Sequence, residues 1–349
     1  MITITGLARA SQRLALLYWL ALFALVAWNI TVNIRAGVFG GDFHGTIWQA
    51  GRDVLHGHSP YPAADSTELA RAGNPAVYPA PTLVLLAPFG LLPFTISAIL
   101  WDLVSVGALF GALRLVGVRD LRVYVAVALS FPVADSLVLG QFDCLLALGC
   151  AVVWRLRRRA GIALALSLAA LVVAKVLLWP MLIWAFAIGR RRSAVVAAGV
   201  AALAALGGWA VVGFSELKAY PHLLSALTDA FGAQGYSLTA LASRLGVDAN
   251  VARVVPIVAL VGFCGLCVRF ARRGHEDQAF VAAVAAALVG SPILWMHYTV
   301  ILLIAMAIRR PSDPTGGSSS SCRCSSRTSG CTSTCSRTAT GTRRTSPAA

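Results

Sequence analysis

Apolar runs close to the length of a bilayer crossing recur along this chain from Leu14 to Ile308. A crossing helix needs about 17 to 25 largely apolar residues. In lipid, every backbone N–H and C=O must find an internal partner, so such runs are expected as helices. They fall near residues 14–34, 94–116, 121–139, 141–154, 160–174, 176–189, 193–213, 251–270, 278–290 and 292–308. The expected fold class is all-α, a polytopic integral membrane protein with about ten transmembrane helices. The stretch from Tyr78 to Leu92 is short and rich in proline, which predicts a re-entrant or tilted half-helix. Composition agrees: 58% of residues are hydrophobic and 12% charged, with mean hydropathy +0.76. A soluble domain has roughly 25% charged residues.

The first run follows Arg9 and Arg13, as a signal peptide's apolar segment would. It is long for such a segment and no small-residue cleavage pattern follows, so it reads as a retained signal anchor.

The formal charge is +15, which in a soluble protein would suggest nucleic acid. Nucleic-acid binding requires cations clustered on an exposed face; here the arginines lie between apolar runs, so no nucleic-acid partner is expected. With a cytoplasmic N-terminus, seventeen cations fall on the cytoplasmic side, including Arg114, Arg119, Arg155, Arg157–Arg159, Arg190–Arg192, Arg269, Arg272 and Arg273. Seven fall opposite: Arg35, Arg52, Arg71, Lys175, Lys218, Arg244 and Arg253. The positive-inside rule favours that orientation in the plasma membrane. Asp42, Asp53, Asp65, Glu68, Asp135, Asp143, Glu216, Asp229 and Asp248 are then external, and chemistry is expected on the extracytoplasmic face.

Cys144, Cys150, Cys264 and Cys267 sit in apolar runs, where a thiol behaves as a small hydrophobe. Cys264 and Cys267 form a CxxC with no second ligand pair nearby, which reads as packing rather than metal. Past Arg310 the chain becomes Ser-, Arg-, Thr- and Cys-rich with almost no large apolar residue. Such a segment cannot offset its chain entropy, so 311–349 is expected to be a disordered tail. Arg outnumbers Lys and Ala is abundant, as in GC-rich coding sequence, where a frame slip yields these residue types. The expectation is one membrane domain over 1–310 that lacks its last helices.

The first external loop reads GVFGGDFHGTIWQAGRDVLHGHSPY. Asp42 follows directly on the first run, and 43–55 is predicted as an interfacial helix with Phe43, Ile47 and Val54 or Leu55 towards lipid. A carboxylate there can take a proton at the water interface; the structural alternative for Asp42 is a helix N-cap. His44, His56 and His58 lie near it, but the spacing does not preform a metal site. Lys175 is one of two lysines and stands between two apolar runs. An ionisable group there defaults to a functional reading, or simply snorkels to the interface. His297, beside Trp295 and Tyr298, can donate a hydrogen bond to a ligand or tie two helices together. Trp295 is equally a membrane-belt residue. Asp102 and Asp143 are buried-acid candidates for a ligand contact or for helix pairing.

The order of Asp42-Phe43, Trp48, Pro60-Tyr61, Tyr78-Pro79-Ala80-Pro81, Gly140-Gln141-Phe142-Asp143, Ala174-Lys175 with Pro180, and Ser291-Pro292-Ile293-Leu294-Trp295-Met296-His297 resembles glycosyltransferase family 87. The resemblance covers about residues 10–310. Asp143 stands where that family's pattern has Asn, Met296 where an acid is common, and the loop Gln234 to Ser237 lacks a clear Asn-Gln-Ser.

The resemblance implies a GT-C-like fold and an inverting transfer of a hexose, mannose favoured, or arabinose from a polyprenyl phosphate to an envelope glycolipid or glycan. It also implies a metal-independent reaction without a cofactor. On this reading Asp42 is the base, Lys175 and His297 hold the donor phosphate, and His44, Tyr78, Gln141, Asp143 and Trp295 bind substrate. The rival from another class is a transporter or flippase of a lipid-linked intermediate. Transporters often carry internal repeats with polar groups at mid-membrane; here no repeat is evident and the polar residues lie at one face. A further alternative is an inactive, truncated member of the family.

Overall fold

The computed structural model describes residues 39–63, 75–159 and 161–309, and 16–37 with gaps. The tail expected to be disordered, 311–349, lies outside the described residues. Among the described residues there are helices and no strand. The helix that carries Asp42 (α1) is α-helical over Gly41–Phe43, widens to a π-helix over His44–Gln49 and returns to α over Ala50–Leu55. Its N-cap is Gly40, so Asp42 stands in the first turn and not at the cap. Phe43 and Ile47, expected towards lipid, are wholly buried in protein, while Leu55 is exposed. Phe43 and Ile47 keep the shared face that their spacing predicts, but that face joins the protein core rather than lipid.

The predicted half-helix is α2, Ala80–Leu86, continued by a 3-10 turn over Ala87–Leu91. It lies against α1, where a Cβ on Gly90 would come within 2.7 Å of the Arg52 backbone nitrogen. The absence of a side chain at Gly90 permits that approach, and the Trp48 indole N–H donates to the Leu92 carbonyl at 2.9 Å.

The remaining helices are α3 Phe94–Leu115, α4 Leu121–Ala128, α5 Phe131–Leu139, α6 Asp143–Leu156, α7 Ile162–Ala174, α8 Pro180–Ala187, α9 Arg191–Val212, α10 Phe214–Phe231, α11 Leu238–Arg244, α12 Ala249–Arg272, α13 Glu276–Val289 and α14 Val300–Ile308. Among the described residues, α3, α9 and α12 are long and apolar enough to cross a membrane, and α4 with α5 makes a fourth if that pair, bent by 59°, is one span. The chain is thus a helical membrane protein, but the count of about ten crossings is not supported. Polar and proline interruptions divide the apolar runs. The run from 176 begins with a 3-10 turn, Val176–Leu178, after an extended Lys175, and Pro180 then starts α8. At 1.5 Å per residue, a helix the length of α6 covers about 21 Å, short of a roughly 30 Å hydrocarbon core.

Sequence reading also passed over α10 as an external loop, because Glu216, Lys218, His222 and Asp229 interrupt its hydropathy. It is an amphipathic helix burying Leu223 and Leu227.

Two ends of the bundle differ in chemistry. At one, Arg157 pairs with Glu276 at 3.2 Å, the Arg190 guanidinium donates to the Arg157 carbonyl at 2.7 Å, and Arg309 lies 3.6 Å from Asp277. The turns after α6, α8, α12 and α14 are therefore gathered together, in accord with the arginine asymmetry. Asp143 and His297 stand at or just before the opposite ends of α6 and α14, with Lys175 before α8, and Asp42 of α1 and Asp135 of α5 meet them there.

Candidate active site

The site begins with a close backbone approach. Helix α5 ends at Gly140, which adopts a left-handed conformation with φ 71°. A Cβ at Gly140 would lie 2.6 Å from the Phe43 Cβ, so only glycine lets the α5–α6 junction meet α1. The Trp101 indole N–H donates to the Gly140 carbonyl at 2.8 Å, and the Phe43 ring stacks on Trp101 at 5.3 Å. That contact fixes Gln141 opposite Asp42. The Gln141 amide nitrogen donates to Asp42 Oδ2, and its Oε1 accepts from the Tyr78 hydroxyl at 3.1 Å. The Tyr61 hydroxyl donates to the Tyr78 carbonyl at 2.8 Å and the Tyr220 hydroxyl to the Val77 carbonyl at 2.8 Å, so the extended 75–79 segment is held on both sides.

A second group lies beside the first. Asp143, in the first turn of α6, is completely buried. Its Oδ1 lies 3.5 Å from Lys175 Nζ and its Oδ2 lies 3.9 Å from His297 Nε2. Lys175 also sits over the Tyr298 ring, 3.3 Å from its centroid. The other nitrogen of His297, Nδ1, is 3.0 Å from Asp135 Oδ2. Charges this far from water must be paired, and each buried ion here has an opposite charge or π-face against it.

Both groups border one cavity of about 810 Å³. Asp42, Tyr78, Asp135, Gln141, Lys175, Trp295, His297 and Tyr298 line its polar part, and Leu177, Leu224, Leu227 and Leu260 line its apolar part. Burial raises the Asp42 carboxyl above the ordinary carboxylate value; His297 and the Gln141 hydrogen bond oppose that rise and Asp135 adds to it. Among the described residues no cluster of His, Cys, Asp and Glu is arranged to hold a metal ion.

The structure therefore brings Asp42, Tyr78, Gln141, Lys175, Trp295 and His297 to one cavity. Asp143, expected to bind substrate, is not among the residues lining the cavity and lies 3.5 Å from Lys175 and 3.9 Å from His297. His44 points elsewhere: it is exposed, packed against Phe94 at 5.0 Å and Trp48 at 5.2 Å. Two residues along a helix turn through about 200°, so the His44 ring leaves α1 on the side away from Asp42. Asp102 is buried without a hydrogen-bond partner for Oδ1, within the helix packing. Asp135, Tyr220 and Tyr298 border the cavity and were not candidates from the sequence. Asp135 lay in a run read as one straight helix, and only the α4–α5 bend turns it to His297.

Fold and cavity together define a multi-pass helical membrane protein with carboxylates and a buried ammonium gathered at one end of the bundle. The chain belongs to glycosyltransferase family 87, whose family model matches residues 76–309. It is also similar to a polyprenol-phosphate-mannose-dependent alpha-(1-2)-phosphatidylinositol pentamannoside mannosyltransferase of Mycolicibacterium smegmatis, with 28% identity over 320 residues that span 84% of this chain and 75% of that protein. No solved structure matches it significantly. Family and relative make the chain a membrane glycosyltransferase. Tyr78, Gln141, Asp143, Lys175, Trp295 and His297 fall inside the matched segment; Asp42 precedes it.

Proposed function

We propose that the protein transfers a hexose, mannose in the first place, from a polyprenyl phosphate to an envelope glycolipid or glycan on the extracytoplasmic face, with inversion at the anomeric carbon. The observation that carries this reading is the juxtaposition in one cavity of a partly buried carboxylate, Asp42, and a buried ammonium, Lys175. The relative's use of a polyprenol-phosphate-mannose donor and a mannosylated phosphatidylinositol supports the choice of substrates. The arginine-rich opposite end supports the extracytoplasmic side.

In this reaction the acceptor hydroxyl oxygen attacks the anomeric carbon of the donor sugar. The bond from that carbon to the phosphate oxygen breaks, and polyprenyl phosphate leaves with the electron pair. Asp42 takes the hydroxyl proton. Burial makes its carboxylate a stronger proton acceptor than one in water, and the Gln141 amide aims Oδ2. Lys175 meets the charge that develops on the leaving phosphate, with His297 beside it. Asp143 balances the lysine while no phosphate is bound. The apolar wall from Leu177 to Leu260 receives the first isoprene units. No step draws on a cofactor.

The test is incubation of membranes containing the protein with radiolabelled polyprenyl-phosphate-mannose, followed by identification of the labelled lipid. Label in a glycolipid, dependent on the protein, is expected. Flipping of the donor without any transfer refutes the reading.

A further inference from the structure

The loop between α10 and α11 bears on the same cavity in a way that neither its sequence nor the proton-transfer chemistry assigns. Tyr236 is 59% exposed and yet lines the cavity. Its backbone is pinned: the Tyr236 N–H donates to the Leu294 carbonyl at 2.7 Å. A Cβ on the preceding Gly235 would lie 2.6 Å from that same carbonyl oxygen, so the two chains touch backbone to backbone. Ser237 is buried and its hydroxyl accepts from the Ala240 N–H at 3.0 Å, capping α11. The last residue of that helix, Arg244, reaches back with Nη2 to the carbonyls of Ala233, Gln234 and Gly235 at 3.3–3.4 Å. A short helix and an arginine are thus used to immobilise one loop, and what the loop presents is an aromatic ring in the open.

The ring's position is informative. Leu294 is followed by Trp295, which borders the cavity too, so two aromatic side chains leave the pinned pair of backbones towards one space. A rigid tyrosine offers a flat apolar face with little entropy to lose on binding. Sugars present C–H faces to such surfaces and hydroxyls to the polar groups around them. The Leu177 to Leu260 wall is the apolar side of the cavity, whereas Tyr236 stands beside the exposed Ala233 and Gln234, an approach open to a hydrophilic glycan.

We propose that Tyr236, held by this loop beside Trp295, is the platform for the acceptor's terminal sugar and sets acceptor specificity. This rests on the glycosyltransferase reading above. The rival is an aromatic of the membrane belt, which would serve anchoring alone.

The test uses the full chain in vesicles with polyprenyl-phosphate-mannose and mannosylated phosphatidylinositol. Tyr236→Ala is expected to raise the acceptor KM about tenfold while the donor KM moves less than about twofold, with Tyr236→Trp restoring the acceptor KM. Arg244→Met, which frees the loop, shifts the acceptor KM in the same direction. An unchanged acceptor KM in Tyr236→Ala, or donor and acceptor KM rising together, overturns the proposal. Should wild type transfer no sugar, the functional reading fails separately. Saturation-transfer NMR with soluble α-mannobiose then decides the platform: binding to wild type that Tyr236→Ala abolishes sustains it, and equal or absent binding overturns it.

Discussion

Substituting Gly140 by alanine should disable transfer although Gly140 carries no chemistry. Its φ of 71° is a left-handed conformation that costs an L-residue about 1–2 kcal/mol. The added Cβ would sit 2.6 Å from Phe43 Cβ, about 1 Å inside an ordinary carbon contact of roughly 3.5–4.0 Å. The backbone fixes the Phe43 Cβ, so no rotamer relieves the contact, and the wholly buried ring is held by Trp101 at 5.3 Å and Phe89 at 6.1 Å. The relief has to come from α1 backing off by about 1 Å, and Asp42 precedes Phe43. A displacement of that size at a reacting group costs on the order of 10²-fold in rate. Gly140→Ala is therefore expected to cut transfer in reconstituted vesicles about a hundredfold and to lower thermal stability. Gly107→Ala is the control: nothing lies within 4 Å of a Cβ there, and helix propensity predicts a gain of about 0.5–1 kcal/mol. Transfer by Gly140→Ala within threefold of wild type would refute the argument that this contact sets Asp42.

Asp42→Asn retains size and removes the proton acceptor, so transfer should fall by about two to four orders of magnitude with membrane expression unchanged; near-normal turnover rules out the base. Because burial raises the Asp42 carboxyl, the acid limb of the pH–rate profile should lie above the usual carboxylate range, activity being lost as pH falls through it. Asp135 contributes to that rise, so Asp135→Asn should move the limb to lower pH; a limb moving upward contradicts the assignment. Lys175→Met leaves Asp143 buried without its cation, and should lower both stability and donor use. The double variant Lys175→Met with Asp143→Asn should recover expression but not transfer, measured by donor KM and kcat. A cysteine replacing Gly45 should react with an impermeant reagent in intact cells and one replacing Arg158 should not; the reverse would put the cavity on the cytoplasmic face.

Membrane residence, helical class and family were legible from one dimension. Bilayer-length apolar runs admit few alternatives, and motifs such as the one from Gly140 to Asp143 keep their order along the chain whatever the fold does. Arginine asymmetry also anticipated the grouping of Arg157, Arg190 and Arg309 at one end, since charge segregates by side of the membrane. Hydropathy could not count the crossings, because it averages over the extended Lys175, the 3-10 turn after it and the bend between α4 and α5. Nor could it find α10, an amphipathic helix that buries Leu223 and Leu227 between charged and polar residues.

The partnerships within the cavity were decided by tertiary structure alone. Asp135 and His297 are 162 residues apart and meet at 3.0 Å; Asp42 and Gln141 are 99 apart. A left-handed glycine at 140 and the bent α4–α5 pair bring them together, and each is a local departure from the period by which a sequence is read. His44, two residues after Asp42, stands on the other side of α1, as the helical period itself requires. Sequence determines which groups are available at the membrane's edge; long-range packing decides which of them face one another.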